Sequence, residues 1–238
     1  MSVEQHLTFA VLISANREWR AVKALFPKAV LSVSPFGEYF FANAATADDE
    51  PILFFQGGWG KVAAAASTQY VIDHFNPGQL INLGTCGGIE GRVHRFDIVA
   101  AEKVVIYDIY QAMGEDPLLG VSHYTTEIDL PADFPIPLIR TTLYSADRDV
   151  TAKGLRDLDR LYQPVAVDWE SGAIAWVARR NRTPVLILRG VSDLISPEQA
   201  EAEGNEALWE ENAARMMEVL IRELPKFIRM NKAAKSCE

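Results

Sequence analysis

The 238-residue chain has only two cysteines, Cys86 in a glycine-rich loop and Cys237 at the tail. So few cysteines exclude a disulfide framework, and a reducing cytoplasm is the compartment we expect. The chain also lacks a basic block, since Lys and Arg total 23 against 32 Asp and Glu, giving a net charge of -9. Because binding to nucleic acid or to an anionic membrane needs clustered cations, we expect neither partner.

Long apolar runs are absent as well. No stretch approaches the roughly 18 apolar residues that cross a bilayer. The residues before Phe9 include no Lys or Arg, unlike the basic start of a signal peptide. The four histidines show no ligand spacing, and the chain contains neither a P-loop nor a G-x-S-x-G elbow, so we expect no metal and no cofactor.

The remaining composition is that of an ordinary globular domain, with 49% hydrophobic residues, 15 Gly and 12 Pro. Strand-like and helix-like runs alternate, which predicts a largely parallel sheet flanked by helices. We find no repeat or linker and predict one domain over residues 1–238. The expected strands are residues 7–14, 29–33, 38–42, 52–56, 79–84, 97–106, 139–145, 165–167 and 185–191. The expected helices are residues 17–26, 61–74, 151–162, 171–181 and 205–230. We expect a loop between residues 106 and 139. Trp209, Met216 and Leu220 have the spacing of the buried face of the last helix.

One glycine motif lies between an expected strand and an expected helix, Gly58-Trp59-Gly60-Lys61-Val62-Ala63. It matches the G-x-G-x-x-A dinucleotide fingerprint, in which a helix N-terminus holds a pyrophosphate. That interpretation requires an acidic residue at the end of the next strand. This chain has Asn82-Leu83-Gly84-Thr85 there, which argues against a dinucleotide site.

Polar side chains follow several of the expected strands. Thr85 and Glu170 each come just after a strand, and Ser192-Asp193 follow the strand that contains Arg189. In open α/β sheets ligands bind beyond the carboxyl ends of the strands, so these residues are candidates for a shared site. The plain alternative is that Asp168 or Glu170 caps a helix and that Asp193 caps a turn.

Taken together, these segments resemble the nucleoside phosphorylase superfamily, which contains hexameric-type purine nucleoside phosphorylases, uridine phosphorylase and the methylthioadenosine/S-adenosylhomocysteine nucleosidases. The resemblance is strongest to the nucleosidases and covers about residues 7–225. Six motifs occur in the family's order: Gly58-Trp59-Gly60-Lys61-Val62-Ala63-Ala64-Ala65, Ile81-Asn82-Leu83-Gly84-Thr85-Cys86-Gly87-Gly88, Asp97-Ile98-Val99, Ser145-Ala146-Asp147, Val167-Asp168-Trp169-Glu170-Ser171-Gly172-Ala173-Ile174-Ala175 and Arg189-Gly190-Val191-Ser192-Asp193.

The resemblance implies a three-layer α/β/α sandwich with a central mixed, mostly parallel sheet, and cleavage of an N-glycosidic bond. It implies that Glu170 anchors the ribose hydroxyls and that Asp193 protonates purine N7. Thr85 is expected to face the sugar or the nucleophile, and Arg189 to lie near an attacking water. The chemistry suits these residue types: a buried carboxylic acid can protonate the leaving base, and a carboxylate can stabilise an oxocarbenium-like ribose.

Water and phosphate are the two alternatives for the nucleophile. Phosphorylases of the family hold phosphate with arginines, because a dianion needs fork-shaped donors. One of those positions is Asn82 here, as it is in the nucleosidases. The water-activating Glu of the nucleosidases aligns with Trp19, one residue after Glu18, with Arg17 adjacent. We therefore expect hydrolysis with Glu18 as the base, and keep a phosphate-dependent phosphorylase as the alternative.

Two departures from the family concern the substrate pocket. Trp169 replaces a Met that lies against the ribose, and Asp149, followed by Val150, replaces an aromatic residue that stacks on adenine. We expect these three residues and Ser192 to contact the substrate. The predicted function is hydrolysis of a purine nucleoside such as 5′-methylthioadenosine or S-adenosylhomocysteine, by a cytoplasmic homodimer or higher homo-oligomer. A nucleoside-binding protein of weak activity is the alternative from another class.

Overall fold

A computed structural model describes residues 7–43, 50–109, 111, 113 and 119–235, with side chains to residue 230. The strands are β1 (Phe9–Ile13), β2 (Ser32–Val33), β3 (Glu38–Asn43), β4 (Pro51–Gln56), β5 (Gln79–Ile89), β6 (Ile98–Ile106), β7 (Thr125–Glu127), β8 (Ile139–Ser145), β9 (Ala166–Asp168) and β10 (Val185–Ile195). The helices are α1 (Asn16–Leu25), α2 (Gly60–Phe75), α3 (Leu119–His123), α4 (Ala152–Tyr162), α5 (Ser171–Arg180) and α6 (Glu206–Lys235). Over these residues, no helix is long and apolar enough to cross a membrane.

The described strands form one mixed sheet. β1 pairs in parallel with β4 and β5, and β5 pairs in parallel with β10. β10 also pairs antiparallel with β6, and the run β6, β8, β9 returns to β5, so these five strands close into a ring. β3 and β2 extend the opposite edge as the expected hairpin. Antiparallel pairs are as numerous as parallel pairs among these strands, so the sheet is more evenly mixed than the resemblance implies.

Helices cover both faces of the sheet. α1 and α6 pack together on one face, over side chains that include Val11 and Leu188. α2 and α5 pack together on the other face, over Leu12 and Leu80. All five residues of β1 are buried, because successive side chains point to opposite faces and both faces are covered. The expected three-layer α/β/α architecture is confirmed.

Several elements differ from the sequence prediction. The segment predicted as loop between residues 106 and 139 contains α3 and β7, because residues 103–105 pair with β7. β5 and β10 run past their predicted ends to Ile89 and Ile195, because the two strands keep pairing with each other. Cys86 consequently lies in a strand and not in a glycine loop. The first strand of the hairpin is only Ser32–Val33.

Candidate active site

The residues that follow β1, β4, β8 and β9 meet the middle of β5 and β10 around one cavity of about 690 Å³. Residues from the first and the last strand meet here because the carboxyl ends of parallel strands share one edge of the sheet. Most of the predicted site residues line the cavity, while Arg189 and Ser192 are absent from its described lining. The predicted residues that line it are Glu18, Thr85, Asp149, Val150, Trp169, Glu170 and Asp193.

Glu18 is the third residue of α1, and its side chain is 5% exposed. Its Oε1 accepts hydrogen bonds from the Thr85 N–H at 2.6 Å and the Thr85 hydroxyl at 2.7 Å, and its Oε2 accepts the Ala15 N–H at 3.3 Å. Burial raises the pKa of Glu18, while Arg189 and the Thr85 donors oppose that rise. A carboxylate with a raised pKa, held beside a hydroxyl, suits a general base that works near neutral pH.

Trp19 points away from the cavity. Its buried indole packs against Phe40, with 5.4 Å between the ring centroids, and its Nε1 donates to Glu38 Oε2 at 2.9 Å. Trp19, which aligns with the water-activating Glu of the nucleosidases, therefore lies in the core, and the preceding residue Glu18 faces the cavity. Because Glu18 enters the cavity and Trp19 enters the core, Glu18 is the candidate base.

Arg189 lies behind the cavity wall and is 2% exposed. Its Nε donates to Asp168 Oδ2 at 2.9 Å, and its Nη2 donates to Asn82 Oδ1 at 2.5 Å. Burial opposes the charged guanidinium, but Asp168, Glu18 and Glu170 outweigh it and raise the pKa of Arg189. Arg189 is therefore not among the residues that line the cavity, and its place near an attacking water stays a prediction. Its positive charge opposes the rise in the pKa of Glu18, and its Nε donates to the buried Asp168 carboxylate.

Glu170 precedes α5 and is 8% exposed. Its Oε1 accepts the Gly60 N–H at 3.0 Å. Burial, followed by repulsion from Asp168, raises the pKa of Glu170 to about 8. Its side chain does not cap α5, whereas Asp168 accepts the Ser171 N–H at 3.1 Å, so the capping alternative holds for Asp168 and not for Glu170.

An aromatic wall adjoins Glu170. Trp169 lines the cavity and stacks on Trp59, with 4.8 Å and 24° between the two rings. Trp59 comes from the glycine motif before α2 and remains 65% exposed. Trp169 is a predicted substrate contact, whereas Trp59 is not predicted, because its place in the site depends on a contact between distant loops.

Asp193 reaches the cavity because β10 is irregular at Ser192. Val191 pairs with Cys86 and Asp193 pairs with the adjacent Gly87, so Ser192 is an extra residue in the strand. A bulge of this kind re-aims the side chains that follow it. Burial raises the pKa of Asp193, and the Ser192 hydroxyl, which donates to Oδ1 at 2.5 Å, opposes that rise. Ser192 is fully buried and is not among the residues that line the cavity, and its hydroxyl lies within hydrogen-bond distance of Asp193 Oδ1 and the Cys86 carbonyl oxygen.

One wall of the cavity, built by the last helix and the loop before it, is not predicted from the sequence. Residues 200 and 202–204, Glu206 and Trp209 line the cavity beside Asp149 and Val150. Trp209, predicted on the buried helix face, is only half-buried, and the Arg17 guanidinium lies 6.0 Å from its ring centroid. A large aromatic residue in the first turn of a helix that follows a strand end is the signal that could have indicated this wall.

The cavity is acidic. Its described lining contains seven Asp or Glu residues and two arginines. Arg17 forms ion pairs with Glu206 and Glu210, and Arg148 lies 5.5 Å from the Tyr107 ring centroid. Those carboxylates that are ionised would stabilise a sugar that gains positive charge. Within the described ranges, no group of three or more His, Cys, Asp or Glu is arranged to hold a metal ion.

Comparisons with known proteins agree with this architecture. A sequence model of the Phosphorylase superfamily matches residues 12–224. The chain is 26% identical to the 5′-methylthioadenosine/S-adenosylhomocysteine nucleosidase of Marinomonas sp. (strain MWYL1) over 227 residues, which is 89% of this chain and 97% of that protein. Among solved structures, the apo 5′-methylthioadenosine nucleosidase of Arabidopsis thaliana superimposes with a TM-score of 0.74 at 22% identity, covering 94% and 97% of the two chains. The corresponding nucleosidase of Colwellia psychrerythraea, crystallised with adenine, gives a TM-score of 0.71 at 19% identity, covering 93% and 96%.

Proposed function

Because the chain belongs to the phosphorylase superfamily, we propose that it hydrolyses the N-glycosidic bond of a purine nucleoside. The proposed substrates are adenine nucleosides such as 5′-methylthioadenosine and S-adenosylhomocysteine. The observation that carries the proposal is the convergence of Glu18, Glu170 and Asp193 on one acidic cavity. The name of the Marinomonas relative and the adenine bound to the Colwellia protein support it.

Asp193 is the proposed general acid. When the bond between ribose C1′ and purine N9 breaks, its electron pair moves into the purine ring, and N7 takes the proton of Asp193. Burial keeps the pKa of this carboxyl raised, so more of it is protonated and ready to donate. A pyrimidine offers no N7, so the acid favours purines.

Glu170 is the proposed ribose ligand. Its Oε1 is held by the Gly60 N–H, and the carboxylate accepts hydrogen bonds from the 2′ and 3′ hydroxyls. As the leaving base departs, positive charge grows on the ribose and favours the ionised form of Glu170 over the protonated form. The carboxylate therefore binds the transition state more strongly than the ground state, which is what accelerates the reaction.

Glu18 is the proposed general base. It takes a proton from water as the water oxygen bonds to C1′, and the products are the free purine and a 5-substituted ribose. The Thr85 hydroxyl and N–H hold the carboxylate in place. Glu18 then releases its extra proton to solvent and Asp193 takes one up from solvent, which returns both groups to their starting protonation states.

Two alternatives predict different outcomes for a bound nucleoside. A phosphorylase would need guanidinium groups for phosphate, but Arg17 is paired with two glutamates and Asn82 is buried against the Leu12 carbonyl and Arg189. A binding protein would hold the nucleoside without cleaving it. The juxtaposition of a candidate acid and a candidate base favours an enzyme.

The decisive experiment is to incubate the protein with 5′-methylthioadenosine, S-adenosylhomocysteine, adenosine, inosine and uridine, with and without phosphate. Free base and sugar products are then separated by chromatography. We expect adenine and a free 5-substituted ribose in phosphate-free buffer, with uridine uncleaved. Formation of ribose 1-phosphate would identify a phosphorylase, and saturable binding without any product would identify a binding protein.

The oligomeric state and the compartment are further parts of the proposal. The resemblance implies a homodimer or higher homo-oligomer, and the apolar side chains of Trp59 and Val62, 65% and 82% exposed, are available for such contacts near the cavity. Sedimentation velocity tests this, with a monomer as the contrary result. The buried free thiol of Cys86 is compatible with a reducing cytoplasm. Cell fractionation would test that location.

A further inference from the structure

Two carboxylates from distant parts of the chain cap the N-terminus of α2. The N-cap residue Trp59 makes no side-chain hydrogen bond to the helix, and the first turn contains no acidic residue. Instead, the Gly60 N–H donates to Glu170 Oε1 at 3.0 Å, and the Lys61 N–H donates to Asp147 Oδ1 at 2.7 Å. The first N–H groups of a helix have no partner within the helix, and the helix dipole favours negative charge at this end. The 16-residue helix therefore points its positive end at Glu170.

The glycines of the motif at residues 58–63 set the direction of these N–H groups. Gly58 and Gly60 have φ angles of +79° and +82°, in the left-handed region that favours glycine. This conformation turns the chain sharply from β4 into α2, so that the Gly60 N–H faces Glu170. In this chain, the motif that resembles a dinucleotide fingerprint thus donates a hydrogen bond to a carboxylate of the protein itself.

Lys61 ties this helix end to two further strands. Its ammonium forms an ion pair with Asp108, which follows β6, and lies 3.8 Å from Asp147 Oδ2, which follows β8. Asp108 Oδ2 in turn accepts the Asp147 N–H at 3.0 Å. The Lys61 side chain is 19% exposed and is not part of the described cavity lining. The three residues form a partly buried cluster outside the site.

We propose that Lys61, Asp108 and Asp147 form a positioning cluster for the ribose carboxylate. By fixing the N-terminus of α2, they hold the Gly60 N–H on Glu170, which keeps that carboxylate aimed at the sugar and favours its charged form. The cluster acts through Gly60 and touches no substrate. This inference rests on the proposed role of Glu170.

The charges around Glu170 make it sensitive to this contact. Asp168 on β9 and Glu18 on α1 oppose a second negative charge, while Arg189 on β10 and the Gly60 N–H favour it. Weakening the Gly60 contact removes one of the two groups that favour ionisation. The pKa of Glu170 should then rise further, and fewer molecules should be ready to hold the ribose at neutral pH.

The test compares Lys61→Met with Lys61→Arg and with Lys103→Met, a control that removes the exposed ion pair between Lys103 on β6 and Glu127 on β7. We expect Lys61→Met to lower kcat/KM on ribosides by about tenfold, through both kcat and KM, because a small displacement of a site group is costly. The rising limb of its pH profile should move to higher pH. Lys61→Arg, which keeps the charge, should retain most of the activity, and Lys103→Met should behave as the wild type.

Nucleosides without 2′ and 3′ hydroxyls separate positioning from general damage. They cannot bind Glu170 through the diol, so Lys61→Met should lower their kcat/KM less than that of ribosides, and the remaining loss reflects the charge that Glu170 presents to the sugar. Equal losses on ribosides and on 2′,3′-dideoxy substrates, or an unmoved pH profile, would overturn the proposal. If Lys61→Met does not fold, Asp108→Asn provides the same test with the same expected results. It removes the Lys61–Asp108 ion pair, while the new amide oxygen can still accept the Asp147 N–H. An active wild type with an unaffected cluster variant contradicts only this inference, whereas an inactive wild type contradicts the proposed function as well.

Discussion

Thr85 donates twice to one oxygen of Glu18, with its N–H at 2.6 Å and its hydroxyl at 2.7 Å from Oε1. The contact joins the first turn of α1 to the middle of β5, and both residues are buried. Because two donors already occupy the lone pairs of Oε1, a bound water would give its proton to Oε2. In the proposed mechanism, the Thr85 contact therefore leaves Oε2 as the oxygen that takes the proton.

Replacing Glu18 should separate hydrolysis from phosphorolysis. Glu18→Gln keeps the size of the side chain but removes the base, so turnover in phosphate-free buffer should fall by roughly 10²–10⁴-fold. Arg17→Gln, at the adjacent residue, is the matched control. It should lower turnover far less, because the Arg17 guanidinium is already paired with Glu206 and Glu210. Hydrolysis should give the free sugar as the product, whereas phosphorolysis would give its 1-phosphate. If turnover instead requires phosphate, and Arg17→Gln loses that phosphate-dependent turnover, Arg17 is a phosphate ligand.

Asp193→Asn should remove most of the glycosidic cleavage while leaving the melting temperature close to that of the wild type. An amide cannot donate the proton that the carboxylic acid supplies, a step worth roughly 10²–10⁴-fold in rate. Asp73→Asn on the exposed side of α2 is the control and should be fully active. Steady-state release of adenine measures both variants. Turnover of the Asp193 variant at the wild-type rate would rule out this residue as the acid.

Glu170→Gln should raise KM and lower kcat together on ribosides, because the same carboxylate holds the diol and faces the charge that develops on the sugar. The loss should be smaller on 2′,3′-dideoxy substrates, which lack the diol contact but still develop positive charge on the sugar. Full kinetics on matched ribosides and dideoxyribosides provide the comparison. Equal losses on the two series would show that the diol contact is wrong.

The stability of Glu170→Gln should depend less on pH than that of the wild type. Burial raises the pKa of Glu170 from its ordinary 4.5 to about 8, so the folded protein keeps a proton that the unfolded chain releases between these values. The stability contributed by this group is complete below about pH 4.5 and is lost as the pH rises through about 8. Gln cannot lose a proton, so the melting temperature of the variant should fall less between about pH 5 and about pH 9.

Glu38→Gln is the control for that titration and should behave in the opposite way. The Lys23 and Trp19 donors lower the pKa of Glu38, so its contribution is present at neutral pH and lost in acid. This variant should therefore melt below the wild type at neutral pH, and the difference should shrink as the pH falls. Parallel curves for wild type and Glu170→Gln across the whole range would show that Glu170 titrates normally.

Much of this site could be predicted from local pattern. Thr85, Glu170 and Asp193 follow apolar runs, and the rule that parallel strands end at one edge of the sheet is enough to bring such residues together. The alternation of strands and helices likewise predicts the α/β/α layers, because apolar periodicity is a property of neighbouring residues. The six motifs add the family and the chemistry expected of each acid.

The direction of individual side chains could not be predicted in this way. A shift of one residue on α1 decides whether Glu18 or Trp19 enters the cavity, and the packing of Trp19 against Phe40 determines that phase. The bulge at Ser192 depends on the pairing of β10 with β5, which lie far apart in the sequence. Without that pairing, a strand ending at Val191 is an equally good interpretation.

The sequence by itself determined which chemical groups are present and at which strand ends they occur. The reason is that the periodicity of strands and helices, and the positions where strands end, follow from the pattern of neighbouring residues. Only the tertiary structure decided which groups face the cavity and which support them from behind. Arg189 became a buried partner of Asp168, Trp209 became part of the wall, and the α2 glycines met Glu170. The reason is physical: each of these contacts joins residues distant in the chain, and its geometry follows from how sheet and helices pack, a property that no local segment contains.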